Sequence, residues 1–240
     1  MSTKPEPICI VPAAPEHALM QQTTMSRVYG GIDPYDPASQ IFTAEIFRHQ
    51  QNVFPFGQFV ALHGAEMIGL TVSMLLDFDP AQPFIEPWFT TISDGWLQRH
   101  NPNADWMYGV ESCVLPAYQS RGVGGALMRA RFDVARDLNL RGMAAGSALI
   151  SYADNVRQYG AVAPDDYIRR VQSGDLFDTN LSKQIKKGFI PLAVIPDYLV
   201  DDPDSLGWGA VIAWYNPDYD PARGRGSAHF RTYTLPLRQA

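Results

Sequence analysis

Apolar positions along the chain alternate between a two-residue and a three-to-four-residue period, so strands and helices are interleaved from end to end. Ile8 to Val11 reads as a short strand closed by Pro12, and a helix is expected from Pro15 through Val28. After the turn-rich stretch Gly30 to Pro34, Asp36 is the expected N-cap, with Pro37 at the first position of a helix running to about Gln51. Gln58 to Leu62 and Met67 to Leu76 are β-rich runs joined through His63-Gly64, a hairpin signal. Residues 78 to 105 mix Pro, Asn and aromatics and predict a structured loop with one helix around Ile92 to Arg99. Trp106 to Val114 is the next strand, ended by Pro116, which has no N–H to give a ladder.

From Gly124 to Leu138 the helical period returns, with Leu127, Arg131, Val134 and Leu138 along one side and Met128, Phe132 and Ala135 beside them. A strand follows from Met143 to Ile150, then a polar segment with a helix around Asp165 to Gln172. Asp178 or Asn180 caps a helix that ends at Gly188, and Phe189 to Ile195 and Trp208 to Tyr215 are the last strands. Nothing in this order breaks, so residues 1–221 read as one mixed α/β domain, with 222–240 as a C-terminal basic extension.

Composition narrows the function classes. With 46% hydrophobic residues and 18% charged in 240, the chain can bury a sizeable core. A net charge of −6 argues against general nucleic-acid binding, which needs a basic surface. No apolar run is long enough to span a bilayer, and the N-terminus lacks a secretory h-region, so a cytoplasmic protein is expected. Cys9 and Cys113 cannot make a disulfide framework, and the histidines (His17, His49, His63, His100, His229) are scattered, so no metal site is expected. From Ala222 onward Arg223, Arg225, Arg231 and Arg238 stand without an acid, which fits a solvated tail or a dimer-contact strand.

Chemistry concentrates between Val114 and Ala126, where a strand ends at a proline, a polar turn follows, and glycines open a helix. Glycines there let a ligand approach the backbone, and the free N–H groups of the first helical turn form an anion cradle. A Walker A loop would need a lysine after the glycines, and none follows. A dinucleotide fingerprint would need glycine where Leu127 stands. A nucleophile elbow around Ser120 would need glycine at Tyr118.

What remains is V-x-P-x-x-[QR]-x-x-G-x-[GA], met by Val114, Pro116, Gln119, Gly122 and Gly124. This resembles the acetyl-CoA-binding motif of the GNAT N-acetyltransferases. Lys186-Lys187-Gly188-Phe189 is similar to that family's late helix ending in Gly-Phe. The stretch Trp208 to Pro217, with Gly174-Asp175-Leu176 upstream, resembles GNAT modules found beside nitrilase-type domains.

The resemblance implies a single GNAT-like domain: a mostly antiparallel six- to seven-stranded sheet, a parallel splayed pair at its centre, and helices on both faces. It implies acetyl-CoA as co-substrate. The backbone at Val114 and Leu115 would pair with the pantetheine arm, and Gln119, Ser120, Arg121, Gly122, Val123, Gly124, Gly125 and Ala126 would hold the pyrophosphate. Asn180 would also touch the cofactor. The implied reaction is direct attack of a primary amine on the thioester, with Glu111 as base. Glu111 and Val114 face opposite ways in a regular strand, so a bulge matters there.

Where the family places a tyrosine acid this sequence has Gln184, and Tyr152, Tyr159 and Tyr167 are the alternatives, Tyr159 being the one assigned. The long 78-to-105 and 152-to-178 segments favour a small-molecule amine, with neither nucleic acid nor membrane as partner; self-association as a homodimer stays open. The missing tyrosine motivates the alternative, a non-catalytic acyl-CoA-binding or regulatory module.

Overall fold

The structure is a computed structural model that describes residues 6–36 and 39–236. Its centre is an eight-stranded sheet in the order β6-β7-β5-β4-β3-β2-β1-β8. The first half of the chain supplies β1 (Ile8–Pro12), α1 (Ala18–Val28), α2 (Ala44–Val53), β2 (Phe59–His63), β3 (Glu66–Leu76), α3 (Trp88–Ile92) and β4 (Trp106–Val114). The second half supplies α4 (Val123–Asp137), β5 (Gly142–Ala148), α5 (Tyr152–Tyr159), α6 (Pro164–Ser173), α7 (Leu181–Ile185), β6 (Ile190–Ile195), β7 (Gly209–Tyr215) and β8 (Tyr233–Leu235). Every strand pair is antiparallel except β4 with β5.

Two apolar clusters cover the two faces. Met25, Phe47, Trp88 and Ile92 from α1, α2 and α3 pack on Leu70, Val72 and Met74 of β3. On the other face α4 contributes Val123, Ala126, Leu127, Ala130 and Val134, joined by Tyr167 of α6 and Leu181 of α7. With both faces covered, ten of the eleven residues of β3 are buried, which is why it reads as a near-continuous apolar run. Phe132 of α4 stacks on Trp214 of β7 at 4.0 Å between ring centroids, fixing the helix across the far half of the sheet.

Several expectations are corrected. The second helix starts at Ala44 with Thr43 as its cap, whose hydroxyl accepts from the Ile46 amide at 3.4 Å. Asp36 sits in a turn instead, Pro37 lies outside the described residues, and Ile41 and Phe42 enter the core before the helix begins. In the 78-to-105 segment the helix is Trp88–Ile92, not Ile92 to Arg99. Pro87 opens it, and Ser93, Asp94 and Leu97 with positive φ break the chain into turns beyond Ile92. Residues 152–159 form a helix that the sequence pattern hides, because only Tyr152 and Ala153 of it are buried.

The basic extension adds β8 beside β1, Ile8 opposite Leu235, which raises the strand count from six or seven to eight. Two of its arginines are clamps within the chain. Arg225 donates to the carbonyls of Ala104 at 2.6 Å and Pro102 at 3.0 Å, and Arg231 grips Asp137. Phe230 stacks on Phe56 at 4.5 Å, so this stretch is no solvated tail; Arg238 lies outside the described residues. Both cysteines are free, and among the described residues no helix is long and apolar enough to cross a membrane.

Candidate active site at the splayed strands

Parallel pairing between β4 and β5 runs from Trp106–Gly142 only as far as Gly109–Ala145. Beyond that apex the strands part: Glu111 to Val114 stay paired with β3, and Gly146 to Ala148 with β7. At the same apex the β3–β4 register jumps, Ser73 facing Gly109 and Val72 facing Glu111, so Val110 is an extra residue, a bulge. The bulge falls before Glu111, and Glu111 to Val114 pair regularly with β3, so these two residues still face opposite ways along the strand. The bulge brings Gly109, Val110, Glu111 and Ser112 together on the lining of one cavity of about 730 Å³. The indole N–H of Trp88 donates to the Val110 carbonyl at 2.9 Å and holds the bulge in place.

Glu111 Oε1 accepts two bonds, from the Tyr29 hydroxyl and from the Ser112 amide, both at 2.9 Å. Burial raises its pKa above the usual glutamate value, and the Tyr29 hydroxyl, the Ser112 amide and the charge of Arg131 each offset part of that rise. Burial and the neighbouring Glu111 charge push the Tyr29 hydroxyl well upward, so it stays protonated. Tyr198 also reaches the cavity, and burial raises its hydroxyl in the same way. Its ring lies over Gly146, where a Cβ would meet it at 2.3 Å, so only glycine admits it beside the parted strand.

At the other end of the site α4 starts at Gly122, with φ +90°, after Ser120 with φ +61°. No side chain caps this helix, and its first-turn amides have no intrahelical acceptor. A Cβ at Gly122 or Gly125 would meet nothing within 4 Å, and one at Gly124 only Val114 at 3.9 Å, so the loop's outer surface is bare backbone. Arg121, Arg129 and Lys187 line a second cavity of about 370 Å³ with Gly122 and Gly125. Bare amides, a helix N-terminus and three cations fit the phosphates of a CoA ester.

The sequence-assigned residues divide as follows. Gln119 to Ala126 form the loop and first turn; the exposed Gln119 amide donates to the Val114 carbonyl at 3.1 Å, so a ligand pairing there must displace it. The Leu115 amide is committed to Ile68 at 2.9 Å. Asn180 lines the large cavity next to Gln184. It is held there because Asp178, fully buried, accepts the Asn180 and Leu181 amides at 2.9 and 2.8 Å and starts α7. Tyr159 is 59% exposed at the end of α5 and does not line the cavity. Tyr152 and Tyr167 are buried, their hydroxyls bound to the Val162 carbonyl and to Asp178. His100 accepts from the Leu75 amide at 3.1 Å, a loop role. Sequence reasoning missed Tyr29 and Tyr198, which no local pattern marks, and placed Arg131 on the apolar stripe of α4 without seeing that it lines the cavity. Among the described residues no group of His, Cys, Asp and Glu has the makings of a metal site.

No family model matches the chain. The chain is 34% identical over 168 residues to the probable hydrolase YhcX of Bacillus subtilis, a match that covers 70% of this chain and spans about a third of the relative's length, 32%. It is 26% identical over 189 residues to the uncharacterized N-acetyltransferase YkwB of the same organism, covering 79% of this chain and 81% of that one. Among solved structures, a GNAT-like decarboxylase, GphF, in complex with isobutyryl-CoA superposes with a TM-score of 0.68 at 18% identity, covering 86% of this chain and 98% of that one. The loading GNATL domain of CurA from Lyngbya majuscula gives 0.69 at 15%, covering 87% and 98%. With the parallel pair parting at its centre and helices on both faces, the chain has the single mixed α/β fold of the GNAT-like acyltransferases.

Proposed function

We propose that the protein is an N-acyltransferase that moves an acetyl group from acetyl-CoA to the primary amine of a small molecule. The observation that carries this reading is the continuity of the site: a bare-backbone phosphate cradle at the start of α4, the gap between β4 and β5, and the Glu111 carboxylate lining the cavity at the bulge. In this reading the phosphates of the CoA ester sit on the Gly122-to-Gly125 amides with Arg121, Arg129 and Lys187 around them, whereas the Ala126 amide is committed to the Gly122 carbonyl at 3.0 Å. The pantetheine arm lies in the gap and brings the thioester to the bulge at Val110.

The amine enters from the face of Tyr29, Trp88 and Tyr198. Its nitrogen attacks the thioester carbon as Glu111 takes the proton, the C–S bond breaks, and the thiolate leaves. Both bonds to Glu111 reach Oε1, which leaves Oε2 for that proton. A raised pKa suits the role, since a base near the working pH balances ionisation against proton affinity. The hydroxyls of Tyr29 and Tyr198 take the place that sequence reasoning gave to Tyr159. The kinship to modules beside nitrilase-type domains is part of the same proposal, supported by the match to one third of a longer probable hydrolase.

The test is turnover of acetyl-CoA against a panel of primary amines, with wild type and Glu111→Gln. Acetylation by the wild type that Glu111→Gln slows is the expected result. Acetyl-CoA binding with no turnover on any amine, indifferent to Glu111, would instead establish the non-catalytic module.

A further inference from the structure

Arg131 is an anomaly in the middle of α4. It sits on the apolar side that packs on the sheet and is 3% exposed, yet it forms no ion pair with any described carboxylate within 4.0 Å. Among the described residues its one hydrogen bond runs from Nη2 to the sulfur of Met128 at 3.5 Å, a weak acceptor, and its buried Nε has no partner. Glu111 is close enough to favour its charge, but the two make no ion pair within 4.0 Å, and the Glu111 hydrogen bonds go to Tyr29 and Ser112 instead. The guanidinium lines the 730 Å³ cavity, together with Asn180 and Gln184, whose own Oε1 is buried and unpartnered. A buried guanidinium with no direct ion pair and an unpartnered Nε–H is costly, and an anion bound beside it would offset that cost.

Its position says what that anion belongs to. Arg131 is nine residues along α4 from Gly122, about 13 Å at the helical rise, on the face of the sheet that carries the phosphate loop. The acceptor-side groups Tyr29, Trp88 and Tyr198 belong to the opposite face or its rim. Nη1 lies 3.0 Å from where a Cβ of Gly109 would stand, so the guanidinium fills the room that this glycine leaves at the apex where β4 and β5 part. An acyl group whose thioester lies at the bulge is therefore within reach of this guanidinium.

We infer that Arg131 is a specificity-determining residue that binds a carboxylate at the far end of the acyl group, so that the preferred donor is a short dicarboxylic acyl-CoA of the malonyl or succinyl type. This rests on the acyl-CoA reading above and refines its donor. Arginine suits the task because its planar fork pairs with both carboxylate oxygens.

The test is calorimetric titration of CoA, acetyl-CoA, butyryl-CoA, malonyl-CoA and succinyl-CoA into the wild type and into Arg131→Gln. The wild type should bind at least one of the two carboxylated esters about ten- to a hundred-fold more tightly than the uncharged esters, the range of a charge-assisted pair. Arg131→Gln should lose that preference and bind CoA and acetyl-CoA as the wild type does. Equal affinity of the wild type for charged and uncharged esters, with CoA itself bound, would overturn the inference and leave the acyl-CoA site standing. So would an Arg131→Gln variant that weakens all esters by one factor, which would make Arg131 a general thioester contact. Failure of every ligand including CoA to bind the folded wild type would instead remove the acyl-CoA reading itself.

Discussion

The two ends of the cavity are built in opposite ways. The phosphate end is mostly local: ten residues from Gln119 to Met128 supply the turn, the glycines and the first helical turns, whose backbone amides are joined by the side chains of Arg121, Arg129 and, from just beyond α7, Lys187. The acceptor end is assembled from five separated places, Tyr29 after α1, Gln40 before α2, Trp88 on α3, Glu111 on β4, and Tyr198 between β6 and β7. A backbone site depends on spacing and on the absence of side chains, so it leaves a motif in the sequence. A side-chain site depends on tertiary packing and leaves none.

Breaking the acceptor end at its centre should give the largest effect. Glu111→Gln keeps the shape and the bond from Tyr29 but removes the base, with an expected loss of about a thousand-fold in kcat in an amine-acetylation assay. Because the folded carboxyl is raised above its ordinary 4.5, wild-type kcat/KM should be present above that raised value and fall as pH drops through it. The variant should lack this acid limb.

At the phosphate end, Gly125→Glu is the sharper tool than a change at Gly122. Its added Cβ meets nothing and its φ is not positive, so the fold survives while a carboxylate enters the anion cradle. Acetyl-CoA affinity should fall by about a hundred-fold with the melting temperature little changed, the loss being charge repulsion within a site of helix amides.

Tyr29→Phe should cost about ten-fold in kcat, the scale of one hydrogen bond to a charged group. Its hydroxyl lowers the Glu111 pKa against the rise from burial, so its loss should move the acid limb to higher pH. An acid limb that stays put would disconnect Tyr29 from the base. The smallest effect belongs to Tyr159→Phe, which should leave kcat and KM within about two-fold, the noise of an exposed surface change.

How much of this was legible follows the same division. The strand ending at Val114, the glycine turn and α4 were readable to within a residue, because a proline, a left-handed glycine at 122 and an amphipathic helix are local consequences of local sequence. The start of α2 was misread because Asp36-Pro37 makes as good a cap signal as Thr43, and only the burial of Ile41 and Phe42 decides between them. β8 was invisible because three residues carry too little pattern, and its partner β1 lies more than two hundred residues earlier. Of the site, Glu111 was found through its spacing from Val114, whereas Tyr29 meets it from 82 residues away.

The central claim is that the gap between β4 and β5, with the bare turn at Gly122 to Gly125, seats an acyl-CoA. Calorimetric titration of acetyl-CoA into wild type and folded Gly125→Glu, side by side, tests it most directly. Saturable binding by the wild type at one site per chain, lost in the variant, is the expected result. A well-folded wild type that takes up no heat from acetyl-CoA or CoA, or a variant that binds as well as the wild type, would contradict it.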